Sequence, residues 1–240
     1  MTSPNRNSLL AMLDPVAERG LFTHLSPCSA NLREVLHEQG EAIDHVYFPS
    51  SGMVSLVTIM QNGALVETGA MGFDGAVGLN SALSNRKAPC RAIVQLPMTG
   101  QRISKVIFKQ AYDESPRVRA MVHQANELLI EQTQQSAACN ALHRSEQRLA
   151  RWLLRSADYA GSNDIHLTQE SLAAMLGVRR TTVTLFAIDL QKKGLIKYRR
   201  GSVRILDRSG LERLACECYA AVAHQQEVIF GRHVAPVAGA

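Results

Sequence analysis

The stretch that most constrains this 240-residue chain runs from Thr168 to Leu206. It opens with a hydroxyl residue suited to cap a helix, Thr168, then Gln169, an acid in the first turn (Glu170), and Leu172, Met175 and Leu176 on one helical face. Gly177 is placed to end that helix. After Gly177-Val178, the segment from Arg179 to Gly194 predicts a second helix, with Val183, Phe186 and Leu190 inward and Arg179, Arg180, Thr181 and Thr184 outward. Leu195 to Leu206 predicts two short strands about a glycine-containing turn, with Lys197, Arg199 and Arg200 at its edge and tip. Helix, tight turn, helix and hairpin in this order make a winged helix-turn-helix.

Charge marks the same stretch. Residues 168–208 hold nine Lys/Arg against three Asp/Glu, whereas residues 1–167 hold fifteen of each sign. A local excess of this kind is a footprint for a polyanion, and in this fold the polyanion is double-stranded DNA. The N-terminal side chains of a recognition helix reach base edges in the major groove, while cations on a wing neutralise phosphates. Arg180 is the expected base or phosphate contact, with Arg179, Thr181, Thr182 and Thr184 around it and Thr168 and Gln169 on the preceding helix. Lys197, Arg199 and Arg200 are expected on the phosphate backbone. The competing readings are a helical hairpin with a solvated charged face and an architectural protein that binds any duplex. Asp74, or Cys90 with Arg91, lies in no recognisable nucleophile–base context, so the chain does not read as an enzyme.

Apolar residues make up 46% of the chain, enough for two modest cores. No run reaches the ~18 apolar residues of a membrane span, and the N-terminus lacks the apolar run of a signal peptide. The expected location is cytoplasmic, with no membrane partner. Five scattered cysteines (Cys28, Cys90, Cys139, Cys216, Cys218) make a poor disulfide framework. Cys216 and Cys218 are close-spaced, but no second pair or histidine stands beside them in sequence, and on a helix their side chains diverge. They are expected as buried or bystander thiols, with no metal and no cofactor. His123, His143 and His166 stand alone and read as surface or packing residues.

From about Gly40 the chain is strand-like. Val46–Pro49, Met53–Ile59, Ala64–Ala70 and Ala92–Leu96 alternate or run apolar, and Gln61-Asn62-Gly63 supplies a hairpin turn. Gly69, Gly72, Gly75 and Gly78 punctuate them, and backbone N–H groups near Gly72, Gly75 and Gly78 are suited to hold an anion. Short strands with glycine breaks suggest a small roll. Residues 8–38 read as amphipathic helical pieces. From Ser115-Pro116 the period lengthens: Val118, Met121, Val122, Ala125, Leu128, Leu129 and Gln132 form a stripe on a helix to about Ala138, suited to pair with a second copy or to lie on the chain's own roll. A helix-turn-helix dimer reads two half-sites, which favours the homodimer. The expected fold class is α+β: a jelly-roll-like effector domain over residues 1–111, a dimerisation helix over 112–139, and the winged helix-turn-helix with its tail over 140–240.

A glycine-rich roll, a long helix and the run Leu167-Thr168-Gln169-Glu170-Ser171-Leu172-Ala173-Ala174-Met175-Leu176-Gly177-Val178-Arg179-Arg180-Thr181-Thr182-Val183-Thr184 together resemble the Crp/Fnr family of bacterial transcription regulators. The resemblance covers about residues 20–218. It implies a homodimer gated by a small-molecule effector, binding a near-palindromic promoter site and acting on RNA polymerase. Where the family's best-known members carry a glutamate after the recognition-helix arginine and a further arginine one turn on, this chain has Thr181 and Leu185, which implies a different target sequence. Its cyclic-nucleotide binders use Gly-Glu-aliphatic-Gly/Ala-Leu and a later Arg-Ser/Thr-Ala. Gly75-Ala76-Val77-Gly78-Leu79 matches the first with Ala76 for the glutamate, and Cys90-Arg91-Ala92 matches the second with Arg91 shifted by one. Alanine accepts no hydrogen bond, and a one-residue shift turns a strand residue to the opposite face. Gly75, Ala76, Val77, Gly78, Arg91 and Ala92 therefore mark an effector site altered away from cyclic AMP.

Overall fold

The computed structural model describes residues 7–84, 86–199 and 201–231. They divide into two units, one built from residues up to 58 together with 70–130, the other from 59–69 together with residues from 131 onward.

In the first unit, a short helix α1 (Arg19–Phe22) precedes the strands β1 (Ser26–Ala30), β2 (Val35–His37), β3 (His45–Ile59) and β5 (Arg91–Ser104); β4 (Leu65–Met71) starts among the residues grouped with the second unit and ends in the first. The sheet order is β1-β5-β3-β4, with β2 also on β5, and β5 runs antiparallel to β1, β2 and β3. The Val46 and Met53 runs are one strand, broken only in register between Pro49 and Val54. Gly52 makes that irregularity possible: its φ is +81°, and a Cβ there would collide with the backbone of Pro97 and Met98. The expected turn forms, with Gly63 N–H donating to Met60 O at 2.9 Å. Residues 26–30 and 35–37 are strands, contrary to the helical reading. Those residues are mostly exposed or half-buried and carry no alternation; their conformation comes from pairing with β5. Ala30, Val54, Met71, Val77, Ala92, Val94 and Met98 form the core of the roll. The helices α2 (Leu79–Ser84), α3 (Lys105–Glu114) and the start of α4 (Pro116–Leu142) complete the unit.

The second unit continues with the end of α4, α5 (Ser145–Ala160), β6 (Asp164–Ile165), α6 (Gln169–Leu176), α7 (Arg180–Lys192), β7 (Ile196–Arg199), β8 (Ser202–Ile205), α8 (Arg208–Leu214) and α9 (Cys218–Phe230). Leu142 does not run on into a further helix; the chain breaks at His143-Arg144, where Arg144 takes ψ 144°. Thr168 Oγ1 accepts from Ser171 N at 3.1 Å at the start of α6, and Gly177 ends it at φ +64°, a left-handed conformation that favours glycine. The wing is three-stranded, β6-β8-β7, one strand more than the hairpin the sequence predicts. Asp158 on α5 accepts from Arg208 at 2.6 Å and from the Tyr219 hydroxyl at 2.8 Å, tying α5, α8 and α9 together. Among the described residues no single helix is long and apolar enough to cross a membrane.

Candidate nucleic-acid interface and effector cavity

Helices α6 and α7 meet at 109°, within the range of a helix-turn-helix. Val183, Ala187 and Leu190 are buried on α7, and Phe186 is only half-buried. That inward set leaves Arg179, Arg180 and Thr181 exposed at the N-terminal end, with Thr182 and Thr184 half-buried beside them. Thr184 donates its hydroxyl to Gln169 Oε1 at 2.8 Å, so these two residues brace α6 against α7. Thr168 likewise serves its helix cap. Leu185, 66% exposed, lies one turn on from Thr181 on the outer face. On the wing, Lys197 and Arg199 are exposed, while Arg200 lies outside the described residues.

Ion pairs divide the basic stretch into two groups. Arg204 pairs with Asp164 at 2.6 Å and holds that carboxyl below its ordinary range; Arg208 pairs with Asp158, and Lys193 with Glu146 at 3.0 Å. Arg179, Arg180, Lys197 and Arg199 form no ion pair or side-chain hydrogen bond among the described residues. Arg179 and Arg180 sit at the start of α7 and Lys197 and Arg199 on β7, while Lys192, likewise without an ion pair among the described residues, ends α7.

In the roll, a cavity of about 90 Å³ is lined by His37, Leu56, Met71, Ala76, Gly78, Leu79, Asn80, Ser81, Pro89, Cys90, Ala125, Asn126 and Leu129. Ala76 contributes no hydrogen-bonding side chain to that wall. Strand alternation on β5 turns Ala92 and Val94 into the core and Arg91 away from it, where its Nε donates to Glu38 at 2.7 Å. Arg91 is not part of the cavity lining. The glycine segment also differs from an anion cradle. Gly72 N–H donates to Asp74 Oδ1, Gly75 N–H to Gly72 O and Val77 N–H to Tyr47 O, while Asn7 Nδ2 donates to Gly75 O. These donors are consumed within the segment and its neighbours. Burial pushes His37 below its ordinary pKa of 6.5, with the Cys90 backbone and Glu38 opposing weakly.

Two family models match in order: a cyclic nucleotide-binding domain over residues 16–115 and a Crp-like helix-turn-helix domain over residues 147–214. The chain belongs to the Crp/Fnr family. Solved structures of Crp/Fnr regulators share the fold. A putative transcriptional regulator of this family from Eubacterium rectale is 19% identical, with TM-score 0.68 over 88% of this chain and 98% of that one. A CRP-family regulator from Thermus thermophilus is 20% identical, with TM-score 0.66 over 78% and 96%. The global regulator CLP of Xanthomonas campestris, described as responsive to c-di-GMP, is 17% identical, with TM-score 0.65 over 80% and 99%. At these identities the likeness is one of fold. No curated protein matches the chain at a significant level of sequence similarity.

Two features of this Crp/Fnr protein depart from the sequence reading. The stripe Val118, Met121, Val122, Ala125, Leu128 and Gln132 is buried within the single chain, with Leu129 packed on the roll core, so it is not a free face for a partner. Helical periodicity records only that a face is covered, not by which chain. The exposed stripe of α4 is Ala120, His123, Glu127, Ile130, Gln134 and Ala137. The second departure concerns the thiols. Cys139, His143, Cys216 and Cys218 converge, with their ligand atoms all within 4.8 Å of one another. Sequence spacing missed this because Cys216 is not on a helix: it lies in the connection before α9, and Cys218 is the first residue of α9, so both sulfurs reach one place. Sharing a proton with Cys216 pulls the Cys139 thiol down to about 5 and pushes Cys216 up.

Proposed function

We propose that this protein is a sequence-specific transcription regulator that binds a near-palindromic promoter site as a homodimer and answers to a signal other than cyclic AMP. The observation that carries the DNA reading is the sorting of cations: the acids of the C-terminal unit pair with Arg204, Arg208 and Lys193, and of the described cations of the basic stretch left without an ion pair all but Lys192 gather at the start of α7 (Arg179, Arg180) and on β7 (Lys197, Arg199), free for phosphates and base edges. Arg180 reads a base, Thr181 and Thr182 flank it, and the apolar Leu185 meets a thymine methyl group. Two copies pair through the exposed stripe of α4 around Ile130, placing two recognition helices on two half-sites. RNA polymerase is the partner implied by the family.

Three features support the effector reading. Ala76 lacks an acceptor, Arg91 is engaged by Glu38 outside the cavity, and about 90 Å³ falls well short of the ~300 Å³ at which ligand pockets begin. The test is selection of bound duplexes from a random library at fixed salt, with and without cyclic AMP. The expected result is one palindrome enriched equally in both. Enrichment only with the nucleotide refutes the effector reading; uniform binding of all duplexes refutes the regulator in favour of an architectural DNA-binding protein.

A further inference from the structure

Cys139 and His143 stand four residues apart at the end of α4, and His143 N–H donates to Cys139 O at 3.1 Å, so the helical turn carries both side chains to the same side. Opposite them, Ala215 takes an extended conformation (ψ 153°), Cys216 follows, and Cys218 opens α9. Cys139 Sγ and Cys216 Sγ are 3.5 Å apart, and Cys218 Sγ is 3.4 Å from His143 Nδ1. A tetrahedral ion with metal–sulfur bonds of about 2.3 Å has ligand–ligand edges of about 3.8 Å. The two measured separations are opposite edges of such a tetrahedron, and all four atoms fall within 4.8 Å. An iron–sulfur cluster spreads its ligands over separate iron atoms, further apart than this, so the set fits a single ion.

The surrounding groups are those a metal site needs. His143 Nε2 faces Glu217 Oε1 at 3.1 Å, which fixes the proton on Nε2 and leaves the Nδ1 lone pair toward the sulfurs. Gln135 Nε2, one turn back on α4, donates to Cys218 Sγ at 2.9 Å. Three thiolates and one divalent cation leave a net charge of −1. The guanidinium of Arg151, 8% exposed and with its Nε lacking a hydrogen-bond partner, supplies the offsetting charge close to Cys139. Cys139 and Cys218 are fully buried and Cys216 nearly so, which shields the sulfurs from solvent.

We propose that Cys139, His143, Cys216 and Cys218 bind one Zn²⁺ ion in a closed Cys₃His tetrahedron that clips the end of α4 to the connection between α8 and α9. Three sulfur ligands with one imidazole, and no open position, suit structural zinc. Binding displaces the thiol protons, which pass to solvent, and involves no change of oxidation state. The ion fixes the C-terminal unit from which α6 and α7 project.

The test uses the full chain, reduced and stripped with a chelator, then titrated with Zn²⁺ against a chromophoric competitor and separately with Co²⁺. The expected result is one ion per chain, with the intense visible bands of tetrahedral Co²⁺ and thiolate-to-metal charge transfer. Cys216→Ser lowers affinity at least ~100-fold, whereas Cys28→Ser and Cys90→Ser leave it unchanged. Glu217→Gln retains every ligand and lowers affinity about 10- to 100-fold, so the proposal stays testable where a cysteine variant fails to fold. A reduced chain that binds neither ion, an octahedral Co²⁺ spectrum, iron with acid-labile sulfide, or affinity indifferent to Cys216 would each overturn it.

Discussion

Replacing Arg180 with alanine isolates base recognition from everything else that α7 does. Arg180 is the first residue of the helix, exposed, and its guanidinium has no ion pair or hydrogen bond among the described residues. The buried face of α7 is carried by Val183, Ala187 and Leu190, so Arg180→Ala leaves the packing untouched. Alanine is also the better helix former, and the stability change is expected within about 0.5 kcal/mol. A bidentate arginine–guanine contact is worth ~1–3 kcal/mol. In the proposed homodimer two half-sites double that to ~2–6 kcal/mol, a loss of roughly 30- to 20,000-fold at 1.4 kcal/mol per decade. The assay is fluorescence anisotropy at fixed salt on the selected palindrome and on each single-base-pair variant, with thermal unfolding in parallel. The expected result is a large loss on the palindrome and a flattened preference at one position of each half-site. Equal loss on all duplexes, with the preference intact, refutes the reasoning and makes Arg180 a phosphate contact.

Arg199→Ala removes an unpaired wing cation and is expected to weaken binding on all duplexes alike, lowering the slope of log affinity against log salt by about one unit per contact; a change in sequence preference would contradict this. His37 should give the roll a pH-dependent stability. Its folded pKa lies below 6.5, so its contribution is fully present above 6.5 and is lost as pH falls through the folded value. Chemical denaturation across that range should show the loss, and His37→Leu should reduce it; an unchanged profile in the variant counts against the assignment.

The C-terminal unit is the more legible part of this sequence because its signals are local. Thr168 caps α6, Gly177 ends it, and a three- and four-residue period places Leu172, Met175 and Leu176 inward. Where the reading misses, the deciding partner lies far along the chain. Residues 26–30 and 35–37 become strands because Met98 to Arg102 and Ala92 to Ile93 pair with them. The stripe from Val118 to Gln132 has the period of a dimer seam, yet that period equally serves a helix covered within its own chain. Cys139 and His143 meet Cys216 and Cys218 only because Asp158 and the α5–α8–α9 contacts fold the chain back, and no spacing rule spans that distance. Arg180 and Arg199 stand out from Arg204 and Arg208 for the same reason. All four are cations in one basic stretch, and only tertiary pairing with Asp164 and Asp158 separates them.

The departures in the roll are one coupled change rather than two losses. On β5 the alternation is fixed by Ala92 and Val94, both fully buried, so an arginine at position 91 must face away from the cavity. A cation on that outer face is best kept where an acid meets it, and Glu38, beside β2, lies at 2.7 Å. The inner face then holds no cation, so a glutamate at position 76 would be a carboxylate in a wall of Leu56, Met71, Leu79 and Leu129 with no charge to oppose it. Ala76 is therefore the residue that a cavity without Arg91 requires. Burial of His37 in the same wall favours its neutral form, so it adds no charge there. The lining of this cavity thus offers Leu56, Met71, Leu79 and Leu129 and no cationic side chain to oppose an anion.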